Sequence, residues 1–277
     1  MLRSILAPLL AFGVVLSMAL PGLAGQVDDV VESLRLPEVF AVISAEGAAY
    51  GREIDDSMMD GAGGAAWQEA VRQIYAPDRL LADFIAALDA ALSQSHVDTG
   101  PTIAFFRSPL GQQATALEIS ARRALLDPDV EDASRLRLEE MRAGNDPRLA
   151  LIEAFVAAND LVESNVASGL NANYAFFQGL RDAGAIGPEM SDDDLVAEVW
   201  SQESAVREEA GTWIHAYLTM AYAPLTDADL RQYIELSRGR GAQALNRAMA
   251  AAYAEVFTDV SRRLGRAAGV ILAGRNL

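Results

Sequence analysis

The sequence lacks cysteine and lysine altogether, and it has only two histidines. Without a thiol, the chain has no lipid-modified cysteine, cysteine nucleophile or cysteine-based zinc or iron–sulfur site. His96 and His215 form no His-x-x-x-His pair and accompany no Gly-x-Ser-x-Gly motif. We expect His215 to be hydrogen-bonded in or beside the core and His96 to lie in a solvated loop. The sequence thus predicts no catalytic residue, metal or cofactor.

Positive charge is also scarce. The chain has 39 acidic and 22 basic residues, which gives a formal net charge of -17 at pH 7. Such a surface repels nucleic acid and anionic lipid headgroups, because both carry dense negative charge. We therefore exclude nucleic acid as a partner.

Long apolar runs are confined to the N-terminus. Met1-Leu2-Arg3 gives a positive start, Leu9–Leu20 is uncharged and apolar, and the small residues of Pro21–Gly25 follow. A charged start, an apolar middle and a small-residue cleavage site are the order of a secretory signal. We predict cleavage after Ala24, with 1-24 as the signal peptide, 25-277 as the mature domain and the periplasm as the destination.

An uncleaved anchor is the alternative, since Ser4–Leu23 is long enough to span a bilayer. Pro8, Gly13 and Ser17 interrupt that run, which favours cleavage. The other apolar stretch, Ala267–Ala273, is too short to cross a membrane. We expect no integral span after cleavage.

The mature sequence is helical in pattern almost throughout. Apolar residues recur at helical spacing in two stretches, at Leu80, Leu81, Phe84, Ile85, Leu88 and Leu92, and at Leu245, Met249, Ala252, Val256, Val260, Leu264 and Ile271. Ser191 with Asp194, and Thr226 with Asp229, have the spacing of capping boxes. Breaks at 144–147 and 184–188 bound a long connecting helix, predicted at about 147-182.

Two corners in the sequence resemble each other. Phe105–Ala114 (FFRSPLGQQA) and Tyr233–Ala244 (YIELSRGRGAQA) come into register when Gly111 is aligned with Gly241. In each, an apolar helix enters a glycine-containing corner and an alanine-rich helix leaves. We predict an all-α fold: a compact multi-helix domain of two degenerate helix–turn–helix repeats, at about 64-145 and 191-277.

These corners and their context also carry a family resemblance. Further matching segments are Tyr50-Gly51, Trp67, Ile74-Tyr75, Arg122–Val130 and Asn159–Leu161. Together with the Phe-x-Ser-Pro-x-Gly pattern, they make most of the mature chain similar to the exported bacterial family known as domain of unknown function 2059. The second copy departs from the pattern, with Arg238-Gly239 where Ser-Pro would stand. The resemblance implies an all-helical periplasmic protein and no particular activity.

The first corner offers a candidate anion site. Ser108 suits an N-cap, Pro109 suits the first helical position, and Gly111 permits close approach of another backbone. A helix N-terminus beside Arg107 has groups that bind phosphate or carboxylate. The alternative is a capped turn in which Arg107 pairs with a neighbouring acid, and we favour it.

The connecting segment offers a second candidate. Asn159, Glu163 and Asn173 fall within or beside an apolar helical stripe. Buried polar groups need partners, so these side chains form an inter-helix hydrogen-bond network or line a pocket for a small polar or amphipathic ligand.

Three functions remain open from the sequence. The leading hypothesis is a non-enzymatic envelope protein that binds another envelope protein or a small ligand. The second is a periplasmic enzyme that uses carboxylate and Asn residues around the connecting helix. The third is a carrier of lipid or other apolar cargo, which requires an apolar cavity or an exposed apolar patch.

Overall fold

Helices make up all the regular secondary structure in the described part of the chain. The computed structural model describes residues 23–95, 97–187 and 190–275, which form thirteen helices and no strand. In order, these are α1 Leu23–Ser33, α2 Leu36–Met58, α3 Gly64–Ile74, α4 Pro77–Ser93, α5 Gly100–Arg107, α6 Pro109–Ala124, α7 Pro128–Ala143, α8 Pro147–Ala158, α9 Leu161–Asp182, α10 Asp192–Trp200, α11 Glu203–Ala221, α12 Asp227–Ser237 and α13 Arg240–Arg275. The predicted all-α fold is confirmed.

Two of the sequence predictions concern residues that the structure does not describe. Residues 1–22, which hold nearly all of the predicted signal peptide, lie outside the described residues, and so does His96. Within the described ranges, none of the helices combines the length and the apolar content that crossing a membrane requires.

Side-chain caps and prolines fix where several helices begin. Both predicted capping boxes are present, at the Ser191 start of α10 and the Thr226 start of α12. Ser108, Asp127 and Asp146 each accept a backbone N–H and precede a proline at the start of α6, α7 or α8. These features satisfy donors that a helix start leaves unpaired, and they end the preceding segment sharply.

The repetition extends over six helices in each half of the protein. In the first half, α1 packs on α4 and α5, and α2 packs on α3 and α4. The second half repeats these contacts, with α8 on α11 and α12, and α9 on α10 and α11. The halves α1–α6 and α8–α13 therefore share one arrangement, and α7 joins them without a counterpart. Each half begins earlier than the predicted repeats at 64–145 and 191–277.

Matching joints support this correspondence. Arg35 between α1 and α2, and Asp160 between α8 and α9, are both left-handed, with φ of 52°. At the corners, Gln112 Nε2 donates to Phe106 O, and Gln243 Nε2 donates to Ser237 O, both at 2.7 Å. The same two side-chain amide nitrogens also donate to backbone carbonyl oxygens at the C-terminal ends of α1 and α8.

The corner register differs by one residue from the sequence alignment. Gln112 corresponds to Gln243, so Gly111 corresponds to Ala242 rather than to Gly241. Helix geometry sets this register, because the Gln112 N–H donates to Ser108 O and the Gln243 N–H donates to Gly239 O. Alignment by glycine identity was therefore wrong by one position.

The predicted helix at 147–182 is two helices. It breaks at Asn159 and Asp160, between α8 and α9. Asp160 adopts the left-handed conformation, which Asn and Asp tolerate better than most residues, and the Asn159 amide donates to Phe155 O at 2.9 Å. Asn159, one of the polar residues of the apolar stripe, therefore lies at a joint between two helices.

The two halves interlock through their last helices. The first half's α6 packs on α11 of the second half, and α13 packs on α4 of the first. The Tyr253 ring of α13 lies 4.5 Å from Phe84 and 6.0 Å from Phe40, measured between ring centroids. Aromatic rings at such distances bury large apolar areas and attract each other. Neither half therefore has a complete core without the other.

Glycines allow α9 and α13 to pack closely. A Cβ atom at Gly265 of α13 would lie 2.0 Å from the carbonyl oxygen of Phe176. A Cβ atom at Gly179 of α9 would lie 2.1 Å from Arg262 O. Both distances are shorter than any real contact, so the two backbones meet at their glycines.

We predict that Gly265→Ala destabilises the protein by about 3 kcal/mol, because the backbones must separate to admit a methyl group. The matched control is Gly211→Ala in α11, where a Cβ atom would meet nothing within 4 Å. The control should gain about 0.5–1 kcal/mol, since alanine favours a helix interior. Urea unfolding of both variants measures the difference. Equal stabilities would contradict the close packing.

Candidate functional site

The Arg107–Gly111 corner is built as a structural joint. Ser108 Oγ accepts from Gly111 N–H at 3.2 Å, as an N-cap does. Arg107 forms an ion pair with Asp29 of α1 and lies 3.7 Å from Glu32. A Cβ atom on Gly111 would lie 2.2 Å from Phe106 Cα, so another backbone does approach closely here. These contacts match the capped turn, with Pro109 opening α6.

The polar residues of the connecting segment do not form one pocket. Asn159 is buried, and its Oδ1 accepts from Asn246 Nδ2 of α13 at 2.5 Å, as an inter-helix network requires. Glu163 is exposed and pairs with Arg207, and Asn173 is half-buried. None of the three lines either cavity described below.

His215 has a structural environment. It is half-buried in α11, and its Nδ1 lies 2.6 Å from Gly211 O. Within the described ranges, no group of three or more His, Asp or Glu side chains is arranged to hold a metal ion.

A half-buried carboxylate, that of Glu118, forms a polar centre between the halves. Glu118 of α6 accepts from the hydroxyls of Tyr222 at 2.7 Å and Tyr233 at 3.2 Å, and both bonds end on its Oε1. The Tyr217 hydroxyl donates to the Glu118 carbonyl oxygen at 3.1 Å. Three tyrosines of the second half therefore meet one residue of the first.

Burial controls the ionisation of this carboxyl group. It raises the pKa of Glu118 to about 7, because the low-dielectric interior disfavours the charged form, and the Tyr222 and Tyr233 hydrogen bonds offset part of that rise. Burial also holds the pKa values of Tyr222 and Tyr233 well above their usual range. Glu118 therefore exchanges a proton near neutrality, while its two donors stay protonated.

A small cavity of about 40 Å³ adjoins Glu118. Thr115 and Tyr253 line it, and their buried hydroxyl groups find no hydrogen-bond partner in the described part of the chain. Such a space takes a few water molecules, and buried waters commonly satisfy polar groups of this kind. The cavity is too small for an organic substrate.

An ion pair lies on another wall of the same cavity. Arg122, one turn beyond Glu118 on α6, is only 6% exposed. Its guanidinium donates two parallel hydrogen bonds to Glu46 of α2, at 2.6 and 2.7 Å. Bidentate pairing of this kind supplies the partner that a buried charge needs. It also ties α6 to α2 within the first half.

A much larger groove lies between α7 and α11. Its volume is about 770 Å³, within the range of about 300–1,000 Å³ that small-molecule sites occupy. Met141 of α7 and Ala216 and Met220 of α11 supply apolar walls. Polar groups come from Arg137 of α7 and from the starts of α8 and α12.

Arg148 shapes one end of this groove. Its guanidinium donates to the carbonyl oxygens of Tyr222 and Leu225, both at 2.8 Å, and to Asp227 at 2.5 Å. The groove also contains Thr219, whose buried Oγ1 has no hydrogen-bond partner among the described residues. An apolar groove with a few converging polar groups is the usual form of a ligand site.

Comparison with known proteins adds no assignment, because no family model, curated protein or solved structure matches the chain. The groove and the Glu118 centre are therefore the features of this protein that bear on its function. Neither was predicted from the sequence.

We predict that Glu118→Gln changes how stability depends on pH. Below pH 4.5, the ordinary pKa of a glutamate carboxyl group, Glu118 is protonated in both the folded and the unfolded chain. Between pH 4.5 and about pH 7, Glu118 is protonated only in the folded chain. Its contribution to stability is therefore fully present at low pH and is lost as the pH rises towards 7.

Relative to wild type, the Glu118→Gln variant should thus gain about 2–3 kcal/mol between pH 5 and pH 8. Urea unfolding at both pH values measures this change. Glu255→Gln, at an exposed position of α13, is the control. Parallel curves for wild type and Glu118→Gln would contradict a buried carboxyl group.

Proposed function

We propose that this protein works in the periplasm, binds a small ligand and has no enzymatic activity, and that the groove between α7 and α11 is its ligand site. The observation that carries the proposal is the groove itself, with its ligand-sized volume and mixed apolar and polar walls. Export rests on the signal pattern at residues 1–24. Membership of the family known as domain of unknown function 2059 stays a prediction.

The lining defines the class of ligand. Its carboxylates, Asp129, Asp146 and Asp227, outnumber Arg137 and Arg148, and both arginines already pair with acids. The chain as a whole carries a charge of -17, which repels anions. The methionines and alanines accept apolar groups, and methionine adapts to different shapes. These features favour a small amphipathic molecule without negative charge.

The other two hypotheses have less support. An enzyme built on the connecting segment would need Glu163 in a pocket, but Glu163 is exposed, and its hydrogen bond with Arg207 lowers its pKa. A lipid carrier would need a largely apolar cavity, whereas charged side chains line several parts of this groove.

Groove filling tests the proposal. N-phenyl-1-naphthylamine, an uncharged apolar fluorophore, should bind wild type at one saturable site. Ala133→Trp places an indole at an exposed position of the α7 wall and should weaken binding at least tenfold, a loss of about 1.4 kcal/mol, because it occupies the site. Fluorescence titration measures the affinity.

Ala251→Trp is the control for this titration, since it adds the same side chain at an exposed position of α13 outside the groove. It should bind the fluorophore as wild type does. Absence of saturable binding in wild type, or equal loss in both variants, would rule out the groove as the site.

Export is tested separately. In a bacterial host, the periplasmic fraction should contain a chain that begins at Gly25, because cleavage is predicted after Ala24. Intact-mass measurement and N-terminal sequencing establish the first residue. A full-length chain retained in the membrane fraction would instead indicate the uncleaved anchor.

A further inference from the structure

One short segment connects the Glu118 centre with the groove. Tyr217 and Tyr222 direct their hydroxyls at Glu118. Between and beyond them, Thr219, Met220 and Leu225 line the groove. The segment 217–225 therefore has one side on the half-buried carboxylate of Glu118 and the other on the proposed ligand site.

Tyr222 is held from both sides. Its hydroxyl donates to Glu118, while its carbonyl oxygen accepts from Arg148, which lines the groove. Tyr233, the second donor to Glu118, belongs to α12, and the first residue of that helix, Asp227, also lines the groove. A change in the Glu118 hydrogen bonds thus acts on both segments that shape this end of the groove.

The fold itself does not require a carboxylate at this position. In the register set by Gln112 and Gln243, Glu118 of α6 corresponds to Met249 of α13. Met249 is buried and apolar. The second half therefore forms the corresponding helix with an apolar side chain at this position, so the carboxylate is particular to α6.

We propose that Glu118 regulates the groove: its ionised carboxylate holds Tyr222 and Tyr233 in the arrangement that binds ligand, and its protonation weakens that hold. The inference rests on the proposed function of the groove. A carboxylate accepts hydrogen bonds more strongly than a protonated carboxyl group does, because its bonds are charge-assisted. Ligand binding is therefore weaker in acid.

The neighbouring groups leave Glu118 as the titrating member of its cluster. Burial keeps the pKa values of Tyr217, Tyr222 and Tyr233 well above their usual range, so these donors stay protonated. Tyr253 across the cavity also has a raised pKa because it is buried. Among the described residues, the other charged group that lines the cavity is Arg122 on α6, which pairs with Glu46 on α2.

The test is the affinity for N-phenyl-1-naphthylamine between pH 5.5 and pH 8.5. Wild type should bind about tenfold more weakly at pH 6 than at pH 8, a ratio typical of coupled sites. Glu118→Gln, which resembles the protonated acid, should bind weakly and equally at every pH. His215→Gln removes the one histidine among the described residues, and this variant should still show the tenfold difference in affinity between pH 6 and pH 8.

A second variant tests the same proposal if Glu118→Gln does not fold. The double substitution Tyr222→Phe and Tyr233→Phe removes both donors, keeps the carboxyl group, and should reduce the pH effect to less than threefold. Circular dichroism at each pH establishes that every variant is helical under the conditions of the titration.

The outcomes separate the two proposals. A pH effect that persists in Glu118→Gln or in the double tyrosine variant, or that disappears in His215→Gln, overturns regulation by Glu118. Binding that Ala133→Trp blocks but that does not vary with pH also overturns the regulation, and leaves the groove as the ligand site. Absence of any binding that Ala133→Trp blocks overturns the proposed function itself.

Discussion

The contact that the last helix of each half makes with the other half is the constraint on which the structure depends. Because α6 packs on α11 and α13 packs on α4, each half buries its apolar surface against the other. Tyr253 illustrates the result, since it belongs to the second half and packs between Phe40 and Phe84 of the first. The two halves therefore share one hydrophobic core, and this core fixes their relative position.

That arrangement also explains the unusual position of Glu118. The residue lies on the helix that enters the other half, so tyrosines of α11 and α12 surround it. Removing a carboxylate from water carries a large free-energy cost unless hydrogen bonds replace the lost hydration. Two tyrosine hydroxyls supply part of that replacement, and the raised pKa of Glu118 reflects the remainder. A charge near its titration point consequently sits where the halves meet.

The groove has a different origin within the fold. It lies against α7, the helix that joins the halves and has no counterpart in the repetition. The repeated helices cover one another, whereas α7 packs mainly on α11 and leaves a space beside it. Arg148 then links the wall of this space to the segment that carries Tyr222. The two distinctive sites of the protein thus share one segment, although only the groove is large enough for a ligand.

Local features of the sequence predicted much of the secondary structure. The Ser191 and Thr226 capping boxes, the Ser108-Pro109 helix start and the stripe through Leu80, Phe84 and Leu88 are all present. They were predictable because a cap or a stripe involves residues within a few positions of each other. Two predictions failed although the conformations concerned are local. The corner register follows the helix hydrogen bonds of Gln112 and Gln243 rather than glycine identity. The break after Asn159 follows from the left-handed backbone of Asp160, which no residue pattern in the apolar stripe indicates.

The Glu118 centre could not have been located from the sequence. Thr115, Glu118 and Arg122 recur at helical spacing on α6, and polar residues in that pattern are typical of a solvated helix face. The side-chain partners of Glu118 and Arg122 are 76 to 115 positions away along the chain.

Most helices, several of their starts and the acidic charge were predictable, because they follow from neighbouring residues and from composition. The enclosure of Glu118 and the position of the groove follow from tertiary contacts instead, because both depend on how the two halves pack against each other.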